Sequence, residues 1–244
     1  MNKVKPEFEG RFLGVLGGMG PLAGATFMTR LTQLTQAATE QEHIPAMLWS
    51  DPRIPSRPKA YLGTGEDPSP WMMNGVRHMS DAGAKAIVIP CNTAHLWYEP
   101  LRAYSSVPIL HIVDAVLANL RAQRVDSGRV GVLATQATLQ SQLYQSSLRK
   151  QGYEPVLLEP DELETYCTQA IELVKDNQLE AAYQALSPGM ERMLKKDVRA
   201  VVLACTELPL ALPHAQRAGW GVPIVDSIDA LALAAIAWYE NGLS

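Results

Sequence analysis

Two cysteines stand at matching points in the two halves of the chain. Ala86-Ile87-Val88-Ile89-Pro90-Cys91-Asn92-Thr93 and Ala200-Val201-Val202-Leu203-Ala204-Cys205-Thr206-Glu207 follow one plan: an apolar run, a small residue, a cysteine, then threonine with a polar neighbour. The strand starts repeat as well, Leu13-Gly14-Val15-Leu16 against Val130-Gly131-Val132-Leu133. Gly131 follows Gly14 by 117 positions, and Cys205 follows Cys91 by 114. Offsets this close indicate an internal duplication in which each half carries one thiol at a strand end. Halves that face each other bring the two thiols across a cleft. An acid/base pair on opposite sides of a small molecule is the equipment for inverting a carbon centre.

In doubly wound α/β folds, ligands bind outside the carboxyl ends of the strands, where helix N-termini also point. A thiol placed there is expected to feel the positive end of the following helix, which lowers its pKa. Asn92, Thr93, Thr206 and Glu207 supply hydrogen-bonding groups beside the sulfurs. Free cysteine is often a small buried hydrophobe. Cys167, within Leu163-Tyr166-Cys167-Ala170-Ile171-Val174, reads that way, whereas two repeat-equivalent cysteines followed by polar residues read as a site.

The segment Gly14-Val15-Leu16-Gly17-Gly18-Met19-Gly20-Pro21 runs from a strand into a glycine turn, with Pro21 suited to the first helical position. Backbone N–H groups at that helix start would hold an anion. The spacing is neither a dinucleotide fingerprint nor a Walker loop, so a carboxylate is the better guest, with a plain tight turn as the alternative. His95 is read either as a site neighbour or as a structural residue; His111 ends a strand; His43, His78 and His214 read as surface or helix positions. No ligand spacing points to a metal, and neither a serine elbow nor a convincing pyridoxal-lysine context stands out.

Eight apolar, β-rich runs lie at 11–16, 44–49, 86–90, 107–110, 129–133, 154–158, 198–203 and 222–225. Segments with helical spacing separate them, including Ala23 to Ala37, Pro70 to Ala82 and Leu139 to Lys150. The region Gln169 to Lys196 is expected to break near Asp176-Asn177 or Ser187-Pro188-Gly189. Short apolar strands alternating with helices indicate parallel sheets covered on both faces. The expected fold is therefore α/β, with two pseudo-symmetric domains, each a small parallel sheet flanked by helices, and the site in the cleft between them. The C-terminal helix, opening at Asp226 as N-cap, corresponds in the repeat to a helix from about Asp114 to Arg121. Its return to the first half gives domains of 1–113 plus 226–244, and 114–225. Ser50 to Pro70, with five prolines and the cations Arg53, Arg57 and Lys59, reads as a structureless but ordered functional loop over the cleft mouth.

Bulk properties narrow the function classes. The 244 residues carry a net charge of −4 with dispersed basic residues, which gives no footprint for nucleic acid or an anionic membrane surface. The longest apolar stretch, Ala230 to Trp238, is too short to span a bilayer. Met1 to Phe8 lacks the apolar segment of a signal peptide. Three cysteines without close spacing are no disulfide framework. The cytoplasm is the expected compartment.

Gly17-Gly18-Met19-Gly20-Pro21, the loop Asp51-Pro52-x-Ile54-Pro55-x-Arg57, Pro90-Cys91-Asn92-Thr93-Ala94-His95 and Ala204-Cys205-Thr206-Glu207 together resemble the aspartate/glutamate racemase family, from about Phe12 to Tyr239. The resemblance implies two α/β domains enclosing the site and cofactor-independent racemisation. One cysteine thiolate would remove the Cα proton while the opposite thiol delivers one to the other face. It makes Cys91 and Cys205 the two bases. Gly18, Met19, Asn92, Thr93, Thr206 and Glu207 would lie around the substrate's α-carboxylate and amino group. Arg57 matches an arginine that grips a side-chain carboxylate, and Lys175 resembles a substrate-binding lysine. The implied partner is a small dicarboxylic amino acid, and a homodimer is usual for the family. The chain departs from the pattern at Ser56-Arg57-Pro58, where Asp-Arg-Thr is usual, and at Leu208, where tyrosine is common.

Rival readings within the same superfamily are a maleate cis–trans isomerase, which also uses two cysteines, and a hydantoin racemase, which would not need Arg57. An arylmalonate decarboxylase keeps one thiol only. A non-catalytic amino-acid-binding module or a redox switch closing a Cys91–Cys205 disulfide represents a different class.

Overall fold

The apolar runs fold into two four-stranded parallel sheets of one topology. The structure is a computed structural model describing residues 11–242; the Met1 to Phe8 stretch read for a signal peptide lies outside them. The first sheet holds β1 (Leu13–Gly17), β2 (Ala46–Ser50), β3 (Ala86–Val88) and β4 (Ile109–Leu110) in the order β2-β1-β3-β4. The second holds β5 (Gly128–Ala134), β6 (Tyr153–Val156), β7 (Ala200–Ala204) and β8 (Ile224–Asp226) in the order β6-β5-β7-β8. All neighbours pair in parallel. β1 answers to β5 and β3 to β7, as the sequence repeat requires.

Among the described residues, twelve α-helices accompany the strands: α1 (Pro21–Leu34), α2 (Arg57–Tyr61), α3 (Ser69–Asp81), α4 (Tyr98–Tyr104), α5 (Ile112–Ala122), α6 (Gln136–Gln140), α7 (Leu143–Lys150), α8 (Pro160–Glu162), α9 (Gln169–Lys175), α10 (Leu179–Leu194), α11 (Leu208–Ala211) and α12 (Ser227–Glu240). Side chains alternate across the first sheet, as strand geometry demands. Leu13, Val15, Ala86 and Val88 join a core that continues through α5 and α12 into the second sheet. Leu16, Ile87 and Ile89 point the other way, into a smaller core with Met72, Val76 and Met79 of α3. Both faces are buried, which explains why the strands read as continuous apolar runs.

The paired glycines have a common cause. A Cβ on Gly14 would lie 2.9 Å from Met79 Sδ, and one on Gly131 would lie 2.6 Å from Met193 Sδ. In each half a methionine from the covering helix occupies the space over the central strand. A larger residue would have to displace that methionine side chain from a packed core.

Asp226 caps α12 as expected, accepting from Ile228 N at 2.7 Å and Asp229 N at 3.3 Å. α12 packs along α1 and α5. On that packing we propose the division into 1–113 with 226–244, and 114–225.

One expectation is corrected, and one choice between two expected break points is decided for the first. The stretch Ser50 to Pro70 is not structureless: Ser56 caps α2, its hydroxyl accepting from Lys59 N, and Pro58 sits in the first turn. There the missing N–H of proline has no intrahelical partner to lose. The helical region after Gln169 breaks only at Asp176–Gln178, where Asn177 has φ 58°. Pro188 lies inside α10. Gly189 marks a close approach rather than a break, since a Cβ there would stand 2.7 Å from Tyr166 Cβ.

Candidate active site

Cys91 and Cys205 line one cleft between the halves. β3 ends at Val88, and the chain turns through Ile89-Pro90-Cys91, with Cys91 N donating to Ile89 O at 2.7 Å. Proline's fixed φ suits the centre of so tight a turn. Cys205 follows β7 directly, and its carbonyl accepts from Leu208 N at 3.1 Å. The cleft, about 360 Å³ including its open mouth, is lined by Met19, Arg57, Pro58, Cys91, Asn92, Thr93, Thr135, Ile171, Lys175, Cys205, Thr206 and Glu207. The structure thus gathers nine of the ten residues expected from sequence. Gly18 is not among the lining residues; at φ +89° it packs against the Asp51 backbone, where a Cβ would come within 2.4 Å.

The two thiols have different surroundings. The Cys205 thiol donates to Glu207 Oε2 at 3.1 Å, and Thr206 Oγ1 donates to the same oxygen at 3.2 Å. Burial raises the Cys205 pKa well above the usual thiol value, and the Glu207 carboxylate adds to that rise against the opposing Glu207 N–H. Burial also raises Cys91, but the Arg57 guanidinium and the Ala94 N–H pull it back. The lowering expected from helix dipoles is therefore absent. After Cys91 comes a 3₁₀ turn, Thr93–Trp97, and after Cys205 the four-residue α11. Neither supplies the aligned dipoles of a long helix, and burial dominates.

Arg57 NH1 donates to Ile54 O and Pro55 O, both at 2.8 Å, while its buried Nε has no hydrogen-bond partner among the described residues. The loop carbonyls hold the guanidinium in place with donors to spare. Lys175, at the end of α9, is bonded to Glu172 Oε1 at 2.6 Å. Partial burial lowers its pKa, but the Glu172 bond and charge, aided by Glu207 and Cys205, turn the net shift upward.

The Gly20-Pro21 turn opens α1 onto an adjoining hollow shared with Val174, Lys175, Asn177 and Glu207. Glu207 Oε1 lies 3.5 Å from the point a Cβ on Gly20 would occupy. Glu207 thus stands beside this helix start, a placement the helix dipole favours.

Sequence reasoning missed a supporting layer of polar groups contributed from across the repeat. Thr93 Oγ1 meets Thr135 Oγ1 at 3.1 Å and Thr138 Oγ1 at 3.0 Å. The buried Asn92 amide is held by Ser227 Oγ at 2.9 Å and by the Tyr144 hydroxyl. Thr135 could have been found, because it follows β5 as the glycine turn follows β1. Tyr144 and Ser227 gave no local signal. Cys167 is fully buried, and burial pushes its thiol up to about 12. All three cysteines are free.

One trio with metal-ligand chemistry exists among the described residues: His214, Asp226 and Asp229. Its carboxylates are engaged by arginines, Asp229 by Arg30 at 2.6 Å and Asp226 by Arg217 at 2.8 Å. Among the described residues no helix is long and apolar enough to cross a membrane.

The family model described as Asp/Glu/Hydantoin racemase matches residues 16–235. The broad specificity amino-acid racemase RacX of Bacillus subtilis (strain 168) is 28% identical over 233 residues, 93% of this chain and 97% of its own. The structure of Picrophilus torridus aspartate racemase superposes with a TM-score of 0.83 at 30% identity, covering 95% of each chain. Glutamate racemase from Francisella tularensis subsp. tularensis SCHU S4, in complex with D-glutamate, shares the fold with a TM-score of 0.68 at 18% identity, over 96% of this chain and 82% of its own. Matched over most of its length, the chain belongs to the Asp/Glu/Hydantoin racemase family of isomerases.

Proposed function

We propose that the protein racemises an amino acid without a cofactor by moving the Cα proton between Cys91 and Cys205. The observation that carries this reading is that both thiols line one small cleft from opposite halves of the repeat. The thiolate of one cysteine takes the Cα proton, and the freed electron pair is delocalised toward the substrate carboxylate. The opposite thiol returns a proton to the other face, leaving the two sulfurs with exchanged protonation. Of the two, Cys91, beside Arg57, is the more readily ionised, and Cys205, bonded to Glu207, holds its proton more firmly. Asn92, Thr93, Thr206 and the Met19 turn hold the α-carboxylate, where fixed donors stabilise charge that spreads into it. Glu207 faces the α-ammonium.

Arg57 takes the distal carboxylate of aspartate or glutamate, with Lys175 as a second cation at the rim. The aspartate racemase relative, at 30% identity over 95% of the chain, supports this substrate class. A broader amino-acid range is the second reading, favoured by the RacX relative and by the pairing of Lys175 with Glu172. Initial rates with aspartate, glutamate and neutral amino acids separate the two: acidic substrates ahead by roughly the 10- to 100-fold of one charged hydrogen bond support the first. Equal rates support the second.

A homodimer in the cytoplasm completes the proposal. Three free cysteines suit a reducing compartment, and two-fold dimers are the commonest soluble oligomers. Light scattering on the purified protein tests the dimer.

A further inference from the structure

His95 is 3% exposed, and both of its ring nitrogens are engaged by backbone. Nδ1 lies 2.9 Å from Cys91 O, and Ile112 N lies 3.1 Å from Nε2. A carbonyl oxygen only accepts and an amide N–H only donates, so the neutral Nδ1–H tautomer satisfies both of these bonds together. Tyr98 stacks at 6.0 Å between centroids and His111 meets its edge at 4.9 Å, which restrict the ring's rotation. We propose that His95 is a positioning residue for Cys91, fixing where the sulfur stands by tying the Cys91 carbonyl to the first turn of α5.

The two halves differ at this point, and the difference gives the role its reason. The Cys205 carbonyl has a backbone donor, Leu208 N. Four residues after Cys205 stands Pro209, which offers no side-chain donor. After Cys91 the chain enters a 3₁₀ turn in which His95 N–H goes to Asn92 O at 3.0 Å, and the His95 ring serves the Cys91 carbonyl. Cys91 N–H is already spent on Ile89 O, so both peptide groups of Cys91 are pinned. Through Ile112 the tether reaches α5, part of the core that continues into the second half. The Cys91 backbone is thereby tied to the core shared by the two halves rather than only to its own loop. Transfer between two sulfurs across one carbon tolerates little displacement; about 1 Å can lower the rate 100-fold.

This inference rests on Cys91 being one of the two proton-transferring groups, and the test separates the two claims. His95→Phe keeps a flat ring and loses both bonds; His95→Gln keeps one donor and one acceptor. Racemisation kinetics and iodoacetamide labelling of Cys91 and Cys205, mapped by mass spectrometry, are measured on each. We expect kcat to fall roughly 10- to 100-fold in His95→Phe with KM little changed, and partial recovery in His95→Gln. Labelling of Cys91 should shift several-fold while that of Cys205 stays at the wild-type rate. Unchanged kcat in the folded variants, or equal shifts at both cysteines, would overturn the role. Should His95→Phe not fold, nitrogen NMR of histidine-labelled wild-type protein decides: a ring locked as the Nδ1–H tautomer supports the bridge, and an Nε2–H tautomer overturns it. Full activity in Cys91→Ser would instead sink the two-cysteine reading itself.

Discussion

The Cys205 thiol donates a 3.1 Å hydrogen bond to Glu207 Oε2, whereas Cys91 is met by the Arg57 guanidinium and the Ala94 N–H. One thiol faces an anion and the other a cation across the same cleft. The repeat makes the halves alike in backbone, and these neighbours make them unlike in electrostatics. Iodoacetamide should therefore label Cys91 faster than Cys205 at neutral pH. Glu207→Gln, which keeps the shape and removes the charge, should accelerate labelling of Cys205. Faster labelling of Cys205 in the wild type would contradict the asymmetry.

Because burial raises both thiols, the rising limb of kcat/KM against pH should lie on the alkaline side of the ordinary thiol range. That limb reports the free enzyme. Arg57→Gln removes the group that pulls Cys91 down, so the limb should move further alkaline. Movement toward acid would contradict the placement of Arg57 beside Cys91.

Arg57 should also decide the handling of a second carboxylate. Arg57→Gln is expected to raise KM for aspartate and glutamate roughly 10- to 100-fold, the worth of a charge-assisted hydrogen bond. KM for alanine should change little. Equal losses on all three substrates would point to a disturbed loop, because NH1 also holds Ile54 O and Pro55 O.

Burial keeps His95 neutral, its pKa pushed down to about 3 from 6.5, with His111 contributing. The unfolded chain takes up the proton that the folded chain refuses. Stability from this group is therefore fully present above about 6.5 and declines as the pH falls toward 3, by ~1.4 kcal/mol per unit. In denaturant titrations the acid slope should flatten in His95→Gln. An identical slope in both proteins would contradict a buried neutral His95.

The strands and the two cysteines were legible in sequence because parallel strands buried on both faces leave continuous apolar runs, and the residues just past each carboxyl end are where a ligand binds in such folds. Gly14 and Gly131 were legible as a repeated pair, but the methionine to which each yields space was not. The polar layer behind the cleft was not. Tyr144 meets Asn92 from 52 positions away and Ser227 meets it from 135 away, so no local pattern carries either contact. The short helix α2 was hidden by Pro58 and the prolines around it, which read as loop, although Pro58 stands where a first turn tolerates it. The thiol pKa values were misjudged because burial and Glu207 are tertiary effects.

Tyr144→Phe should test that polar layer. It leaves a buried amide one partner short, at a cost of roughly 1–3 kcal/mol. Loss of the Asn92 orientation should appear as a raised KM for every amino acid, whatever its side chain. A KM rise confined to acidic substrates would contradict it.

The most direct measurement follows the Cα proton of L-aspartate and L-glutamate by proton NMR in D2O, with no added cofactor, alongside chiral chromatography of the product. The two-cysteine account predicts loss of the Cα signal with appearance of the D-enantiomer in the wild type, and no racemisation in Cys91→Ser or Cys205→Ser. Racemisation that survives in either variant would contradict it.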